Sequence, residues 1–145
     1  MRLQFALNVS DLDEAIDFYT RMFGTGPQKV RPGYANFAIA NPPLKFILFE
    51  NANAGGTINH LGVETESAEQ VVAAEARMTA DGLTTTGVDD TLCCYAEKTE
   101  TWLDAPDGLR WEYYVKTGDS DVMENVVVTA GVAAESGEAT GTCCS

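Results

Sequence analysis

Apolar and polar residues alternate with two different periods along the chain, and the two periods recur in the same order twice. The pattern predicts a strand, a helix and further strands over residues 1–54, and the same succession over residues 55–118. The predicted strands are LQFALNV, YANFAIA and LKFILFE in the first half, and INHLGVE, CCYAEKTETWLD and LRWEYYVK in the second. This order predicts an α+β domain over residues 1–118, built from two similar modules.

The two predicted helices begin with the spacing of a capping box. The pairs three positions apart are Asp11 with Glu14 and Ser67 with Gln70. Apolar residues at helical spacing form the buried face of the first helix, and these are Leu12, Ala15, Ile16, Tyr19, Met22 and Phe23. The second helix has a weaker face of the same kind, made of Ala68, Val71, Val72 and Met78.

The two halves are related by an internal repeat. Residues 4–26 match residues 60–82 at a constant shift of 56 positions (60 − 4). At this shift Gln4 falls on His60, and we expect both side chains to face the same space between two sheets. A lone histidine on an apolar strand is more often a hydrogen-bonded core residue than a ligand. The repeat makes His60 a stronger candidate for a ligand than this expectation alone would.

Glu112 is the third candidate for a polar site, because it interrupts an aromatic strand. It either turns to solvent, as strand alternation allows, or turns inward to meet a cation, since an unpaired buried carboxylate is costly. The equivalent residue in the first half is Ile47, which favours one polar site rather than two. Gln4, His60 and Glu112 would supply an O, N, O ligand set with open positions, as in non-haem Fe(II) sites; Ni, Mn or Co could replace iron.

The charge excludes some classes of partner. The chain of 145 residues has 9 Lys plus Arg against 22 Asp plus Glu, a net charge of −13. Such a field repels nucleic acid and anionic membranes. No apolar run reaches the ~20 residues of a membrane span, and the first residues lack the apolar core of a signal peptide. The sequence therefore predicts a cytoplasmic protein.

The four cysteines form two adjacent pairs, Cys93-Cys94 and Cys143-Cys144. Neighbouring cysteines close only a strained ring, so thiols are predicted. On a strand the first pair would be inert and face opposite sides; in a loop, which Asp89-Asp90-Thr91 favours, both sulfurs could grip a soft ion or trivalent arsenic. Residues 119–145 lack aromatic residues and are predicted to form a flexible acidic tail ending in the second pair.

Several segments resemble a known family. The repeat with Gln4, Asn59-His60-Leu61-Gly62-Val63-Glu64 and Trp111-Glu112 resembles the vicinal oxygen chelate superfamily of glyoxalases, bleomycin resistance proteins and dioxygenases. Within it, the chain resembles the carbon–arsenic lyase and cadmium-induced protein family over residues 1 to about 116. The segments that carry this resemblance are RPGYANFAIANPPLKFIL, GGTINHLGVE and DTLCCYA.

The resemblance implies a fold, an activity and a set of site residues. Two paired βαβββ modules would form a half-barrel metal site, with Gln4, His60 and Glu112 as catalytic metal ligands. The activity would be Fe(II)- and dioxygen-dependent cleavage of the carbon–arsenic bond of trivalent organoarsenicals to arsenite. Cys93 and Cys94 would bind the arsenic, and Cys143 and Cys144 would be accessory thiols. The sequence leaves a homodimer open.

The chain departs from the family pattern at Glu100, where a lysine is usual. Lys98 is the candidate substitute, although we expect its side chain to project from a different face. Two alternatives to the lyase remain: a non-catalytic thiol protein that binds cadmium or arsenite, and a glyoxalase-like metalloenzyme of the same fold.

Overall fold

The structure, a computed structural model, describes residues 1–106 and 108–128. Its elements in chain order are β1 (Arg2–Val9), α1 (Leu12–Phe23), β2 (Lys29–Arg31), β3 (Tyr34–Ile39), β4 (Leu44–Glu50), β5 (Ile58–Glu64), α2 (Ala68–Ala80), β6 (Asp89–Cys93), β7 (Ala96–Asp104), β8 (Arg110–Asp119) and β9 (Val126–Val127). The α+β prediction is confirmed, and the succession of strand, helix and three strands occurs twice, as β1–β4 with α1 and as β5–β8 with α2. No helix in the described residues is long and apolar enough to cross a bilayer.

The chain divides into two compact units, and unit 1 comprises Met1–Val63. Its strands lie in the order β2-β3-β4-β1-β5, with β1 parallel to β4 and the β2–β3 and β3–β4 pairs antiparallel. The core lies between this sheet and α1, where Leu12, Phe37, Phe46 and Leu48 are buried. The predicted helix face packs there through Ala15, Ile16, Tyr19 and Phe23, but Met22 is 58% exposed.

Unit 2 begins at Glu64, and its strands lie in the order β8-β7-β6-β9. The pairs β7–β8, β6–β7 and β6–β9 are all antiparallel. Helix α2 contacts β7 and β8, and it buries Val71 and Met78 while Val72 is 50% exposed. The second helix therefore packs on a narrower face than the sequence predicts.

Both predicted helix caps are present. Asp11 Oδ1 accepts a hydrogen bond of 2.8 Å from the Glu14 backbone N–H, and Ser67 Oγ accepts one of 3.4 Å from the Gln70 backbone N–H. Each cap satisfies one of the backbone donors that a helix leaves without a partner in its first turn. The two caps are 56 residues apart (67 − 11), the shift of the repeat.

Three boundaries differ from the sequence prediction. The segment 89–93 is a strand rather than a loop, and the single strand predicted over 93–104 is a hairpin of β6 and β7. Strand β5 lies beside β1 in unit 1, so the compact units divide at Val63 rather than at residue 54. Residues 119–128 also belong to the fold rather than to a tail, because β9 pairs with β6.

Candidate functional site

Gln4 and His60 lie side by side in unit 1, on the neighbouring strands β1 and β5. Both side chains are 2% exposed, and Gln4 Nε2 lies 3.0 Å from His60 Nε2. The repeat predicted that these residues face the same space, and they are in direct hydrogen-bond contact. Because both side chains are buried, each needs a hydrogen-bond partner within the protein, and this contact provides one.

The other ring nitrogen of His60 has a partner that the sequence analysis did not name as functional. His60 Nδ1 lies 2.7 Å from Asn59 Oδ1, and the Phe49 ring centroid lies 6.2 Å from that of His60. Asn59 stood within the segment that carries the family resemblance, but nothing in its sequence position indicated contact with the imidazole. His60 is therefore held at both nitrogens.

Glu112 lies on β8 in unit 2 and points inward, with no exposed surface. Of the two orientations left open by the sequence, the inward one is found. Glu112 forms an ion pair with Lys98, whose Nζ lies 2.7 Å from Glu112 Oε1. The Lys98 ammonium also lies 4.9 Å from the centroid of the Tyr114 ring. Glu112 is thus an ion-paired carboxylate in this structure.

Glu100 is a second buried carboxylate of the same cluster. It is 2% exposed, and its Oε2 lies 3.7 Å from Lys98 Nζ. Burial, as the largest effect, raises the pKa of Glu100 to about 7; Lys98 opposes this shift and Glu112 adds to it. The prediction that Lys98 projects from a different face is wrong, because residues two apart on a strand share a face.

Cys93 and Cys94 lie at the tip of the β6–β7 hairpin. Cys93 is the last residue of β6 and pairs with Ala96, so that Cys94 and Tyr95 form a two-residue turn. Both turn residues have positive φ, 54° and 60°, as a type I′ turn requires. Neither is a glycine, and residues held in this region cost of order 1–3 kcal/mol each, which is typical of functional positions.

This turn brings the two sulfurs together. Cys93 Sγ and Cys94 Sγ lie 3.1 Å apart, and both residues are buried. The turn is held by segment 120–123, since the Cys94 backbone N–H donates to Met123 O at 3.0 Å and that of Tyr95 donates to Val122 O at 2.9 Å. The early part of the predicted tail therefore supports the cysteine turn.

The Sγ–Sγ distance of 3.1 Å exceeds the ~2.05 Å of a disulfide bond, so Cys93 and Cys94 are not bonded to each other. The thiol state of this pair stays a prediction, and the thiolate is the form in which cysteine would bind arsenic. Cys143 and Cys144 lie outside the described residues.

A cavity of about 160 Å³ lies beside Glu100 in unit 2. Thr91 Oγ1 and Asn125 Oδ1 line it and have no hydrogen-bond partner among the residues that the structure describes. Trp102 and Arg110 close another side, with the guanidinium 4.5 Å from the indole centroid. The volume accommodates several waters or a small polar molecule. The sequence analysis did not identify Asn125 as a site residue, because Asn125 lies in the segment that was predicted to be a flexible tail.

The donor chemistry of the three predicted ligands fits a divalent metal. Gln4 offers an amide oxygen, His60 an imidazole nitrogen and Glu112 a carboxylate, which are donors that Fe(II), Mn(II) and similar ions accept. Within the described ranges, no group of three or more His, Cys, Asp or Glu side chains is arranged to hold a metal. Gln4 and His60 lie in unit 1 and Glu112 lies in unit 2, so this ligand set stays a prediction.

Comparison with known proteins agrees with this architecture. Residues 3–113 match the model of the Glyoxalase/Bleomycin resistance protein/Dioxygenase superfamily. The chain is 52% identical over 123 residues to a trivalent organoarsenical cleaving enzyme of Thermomonospora curvata, covering 84% of this chain and 82% of that protein. It is also 52% identical over 122 residues to the cadmium-induced protein CadI of Mycobacterium bovis, covering 84% and 80%.

A solved structure shows the same fold at low identity. The Mn(II)-bound glyoxalase from Novosphingobium aromaticivorans superposes with a TM-score of 0.58 at 20% identity, over 82% of this chain and 40% of that one. The family match covers most of the chain, and the two relatives exceed half identity over more than four-fifths of it. The chain therefore belongs to the Glyoxalase/Bleomycin resistance protein/Dioxygenase superfamily.

Proposed function

We propose that this protein cleaves the carbon–arsenic bond of trivalent organoarsenicals, such as methylarsonous acid or aromatic arsenicals, and releases arsenite. The observation that carries the proposal is the hairpin tip at which Cys93 Sγ and Cys94 Sγ lie 3.1 Å apart. Two adjacent sulfurs suit a soft, trivalent arsenic atom, since thiolates are the soft ligands of proteins. The name of the Thermomonospora curvata relative, a trivalent organoarsenical cleaving enzyme, supports the same chemistry.

The cysteine turn would bind and orient the substrate. Because the turn donates backbone hydrogen bonds to the carbonyl oxygens of Val122 and Met123, the two sulfurs would be held in place before the substrate binds. Fixing the arsenical in one position converts an encounter into an oriented reaction. The reaction would take place in the cytosol, where thiols are kept reduced.

Gln4, His60 and Glu112 would hold the metal, which we propose to be Fe(II), with Ni, Mn or Co as substitutes. When bound, ferrous iron would supply the redox chemistry by which dioxygen oxidises the carbon attached to arsenic. The Novosphingobium aromaticivorans glyoxalase binds Mn(II), which supports a divalent metal in this fold. The Lys98 ammonium, 2.7 Å from Glu112 Oε1, would position that side chain.

Arsenite release from a trivalent methylarsenical by the Fe(II)-loaded protein tests the proposal, with and without dioxygen. The protein is first reduced with a phosphine, because dithiol reductants themselves chelate arsenic. We expect oxygen-dependent release that falls at least 100-fold in Cys93→Ser and in His60→Ala. The double variant Cys143→Ser/Cys144→Ser is the matched control and should retain turnover. Release without dioxygen, or unchanged release in Cys93→Ser, would contradict the proposal.

A non-catalytic thiol protein that binds cadmium or arsenite is the second candidate. The name of the Mycobacterium bovis relative, a cadmium-induced protein, favours it. It predicts stoichiometric binding of Cd²⁺ or arsenite without turnover, and binding that survives replacement of Gln4, His60 or Glu112. In this case the double variant Cys143→Ser/Cys144→Ser would bind fewer ions than the wild-type protein, because both cysteine pairs would serve as ligands.

A further inference from the structure

His60 is the end of a chain of side-chain hydrogen bonds that runs through unit 1. Beyond its ring, Asn59 Nδ2 donates to Asn8 Oδ1 at 2.9 Å, and Asn8 Nδ2 donates to Thr57 Oγ1 at 3.0 Å. Thr57 Oγ1 then donates to the backbone carbonyl of Ala54 at 2.6 Å. The chain connects β5, β1 and the turn that precedes β5, and it ends at a group of the main chain.

The terminal carbonyl sets the direction of every bond in this chain. Ala54 O can only accept, so the single Thr57 hydroxyl proton is used there. Thr57 Oγ1 must then accept from Asn8, which orients the Asn8 amide with its nitrogen towards Thr57 and its oxygen towards Asn59. A flipped Asn8 amide would place two acceptor oxygens against each other.

The same direction continues to the imidazole. Asn8 Oδ1 accepts from Asn59 Nδ2, so Asn59 presents its Oδ1 to His60 Nδ1 at 2.7 Å. An amide oxygen accepts only, which requires the proton on Nδ1. The opposite side of the ring agrees, because the Gln4 amide nitrogen lies 3.0 Å from Nε2 and can donate to it only if Nε2 carries its lone pair.

We propose that Asn59, Asn8 and Thr57 are positioning residues that hold neutral His60 in the tautomer with the proton on Nδ1. The inference rests on the proposed role of His60 as a metal ligand, because its consequence is a lone pair on Nε2 ready for the metal. Neutral imidazole in water prefers the proton on Nε2. The hydrogen-bond chain from His60 through Asn59, Asn8 and Thr57 to Ala54, here called the relay, therefore reverses the intrinsic tautomer preference of the ring. Hydrogen bonds to the distal nitrogen of a ligating histidine set its tautomer and orientation, and their loss costs 10–100-fold in metal affinity.

The tautomer can be read directly, since the chain contains one histidine. In protein labelled with ¹⁵N-histidine and kept metal-free at alkaline pH, the two ring nitrogens of His60 give two separate NMR signals. We expect Nδ1 to have the chemical shift of a protonated ring nitrogen and Nε2 that of an unprotonated one. The reverse assignment in the wild-type protein would overturn the inference without any variant being made.

Variants then test the relay itself. We expect Asn59→Ala to shift the population towards the Nε2-protonated tautomer. Thr57 is exposed and should tolerate substitution: Thr57→Val, which removes the donor to Ala54, should shift the tautomer in part, while Thr57→Ser should restore it. The matched control is Asn53→Ala, an exposed asparagine outside the relay. If Nδ1 stays protonated in both Asn59→Ala and Thr57→Val, the relay is wrong.

Metal affinity supplies the second measurement. Titration with Co²⁺, followed by its absorption spectrum, should show 10–100-fold weaker binding in Asn59→Ala and unchanged binding in Asn53→Ala. Equal affinity in wild type and Asn59→Ala would overturn the link between tautomer and metal. Failure of the proposed function has a different signature, namely no arsenite release from wild-type protein whose Nδ1-protonated tautomer and Co²⁺ binding are intact.

Discussion

The buried polar clusters of the two units are built from different kinds of side chain. In unit 1 the Gln4–His60 pair contains no carboxylate or ammonium, and each ring nitrogen has a hydrogen-bond partner. In unit 2 one ammonium, Lys98, lies within 4 Å of two buried carboxylates, Glu100 and Glu112. The Gln4 amide has no charge to desolvate, whereas the charged cluster gains a net negative charge as pH rises through the raised pKa of Glu100, about 7.

The two copies of the repeat share their secondary structure but differ in their buried polar side chains. The two copies share an order of elements along the chain, and their helix caps are related by the same shift of 56 residues. Their polar side chains are unrelated in charge and environment. We therefore expect substitutions in the charged cluster to have large effects that depend on pH, and substitutions in the shared scaffold to have small effects.

The largest effect is expected from Lys98→Met, which removes the ammonium between two buried carboxylates. Breaking a buried pair by removing one partner costs roughly 3–5 kcal/mol, because a charge is left uncompensated. Denaturant unfolding at pH 8 measures the loss. The control is Lys116→Met, whose ion pair with Asp119 at 2.8 Å is largely exposed and should contribute at most about 1 kcal/mol. Equal losses in the two variants would contradict the charged-cluster description.

Glu100→Gln should have an intermediate effect with the opposite sign. The folded pKa of Glu100, about 7, lies above its ordinary value of 4.5, so folding favours the protonated form. That contribution is complete below about pH 4.5 and is lost as pH rises through 7. The uncharged variant should therefore equal wild type near pH 4.5 and exceed its stability by up to about 3 kcal/mol above pH 8.

Unfolding free energies of Glu100→Gln across pH 4–9 check this expectation. Glu97→Gln is the matched control, since Glu97 lies on the same strand and its side chain is exposed. A variant less stable than wild type at pH 8 would mean that ionised Glu100 stabilises the cluster, and the burial argument would fail.

The smallest effects are expected at the two caps, and they compare the copies directly. Asp11→Ala should cost about 1 kcal/mol, because its hydrogen bond is short and its charge lies at the positive end of α1. Ser67→Ala should cost less, since its bond is longer, 3.4 Å against 2.8 Å. Thermal or denaturant unfolding of both variants measures the difference. A larger loss at Ser67 would mean that α2 depends more on its cap than on packing.

Much of this fold could be predicted from the sequence, because its signals are local. Capping boxes and helical spacing act over three or four residues, and alternation defines strands over a few more. The contact between Gln4 and His60 was accessible for a different reason: the repeat relates residues 56 apart. The hairpin of β6 and β7 was missed, because its turn residues, Cys94 and Tyr95, are not the glycine or asparagine that normally mark a type I′ turn.

The sequence by itself determined the two copies, their caps and the residue types available for chemistry, since each of these depends on neighbours along the chain. Tertiary structure alone decided which partner each polar group meets. The relay from His60 to Ala54 and the pairing of Lys98 with Glu112 join residues on different elements. The raised pKa of Glu100 likewise follows from removal of water around an assembled sheet. Desolvation and long-range hydrogen bonding exist only once the strands have packed.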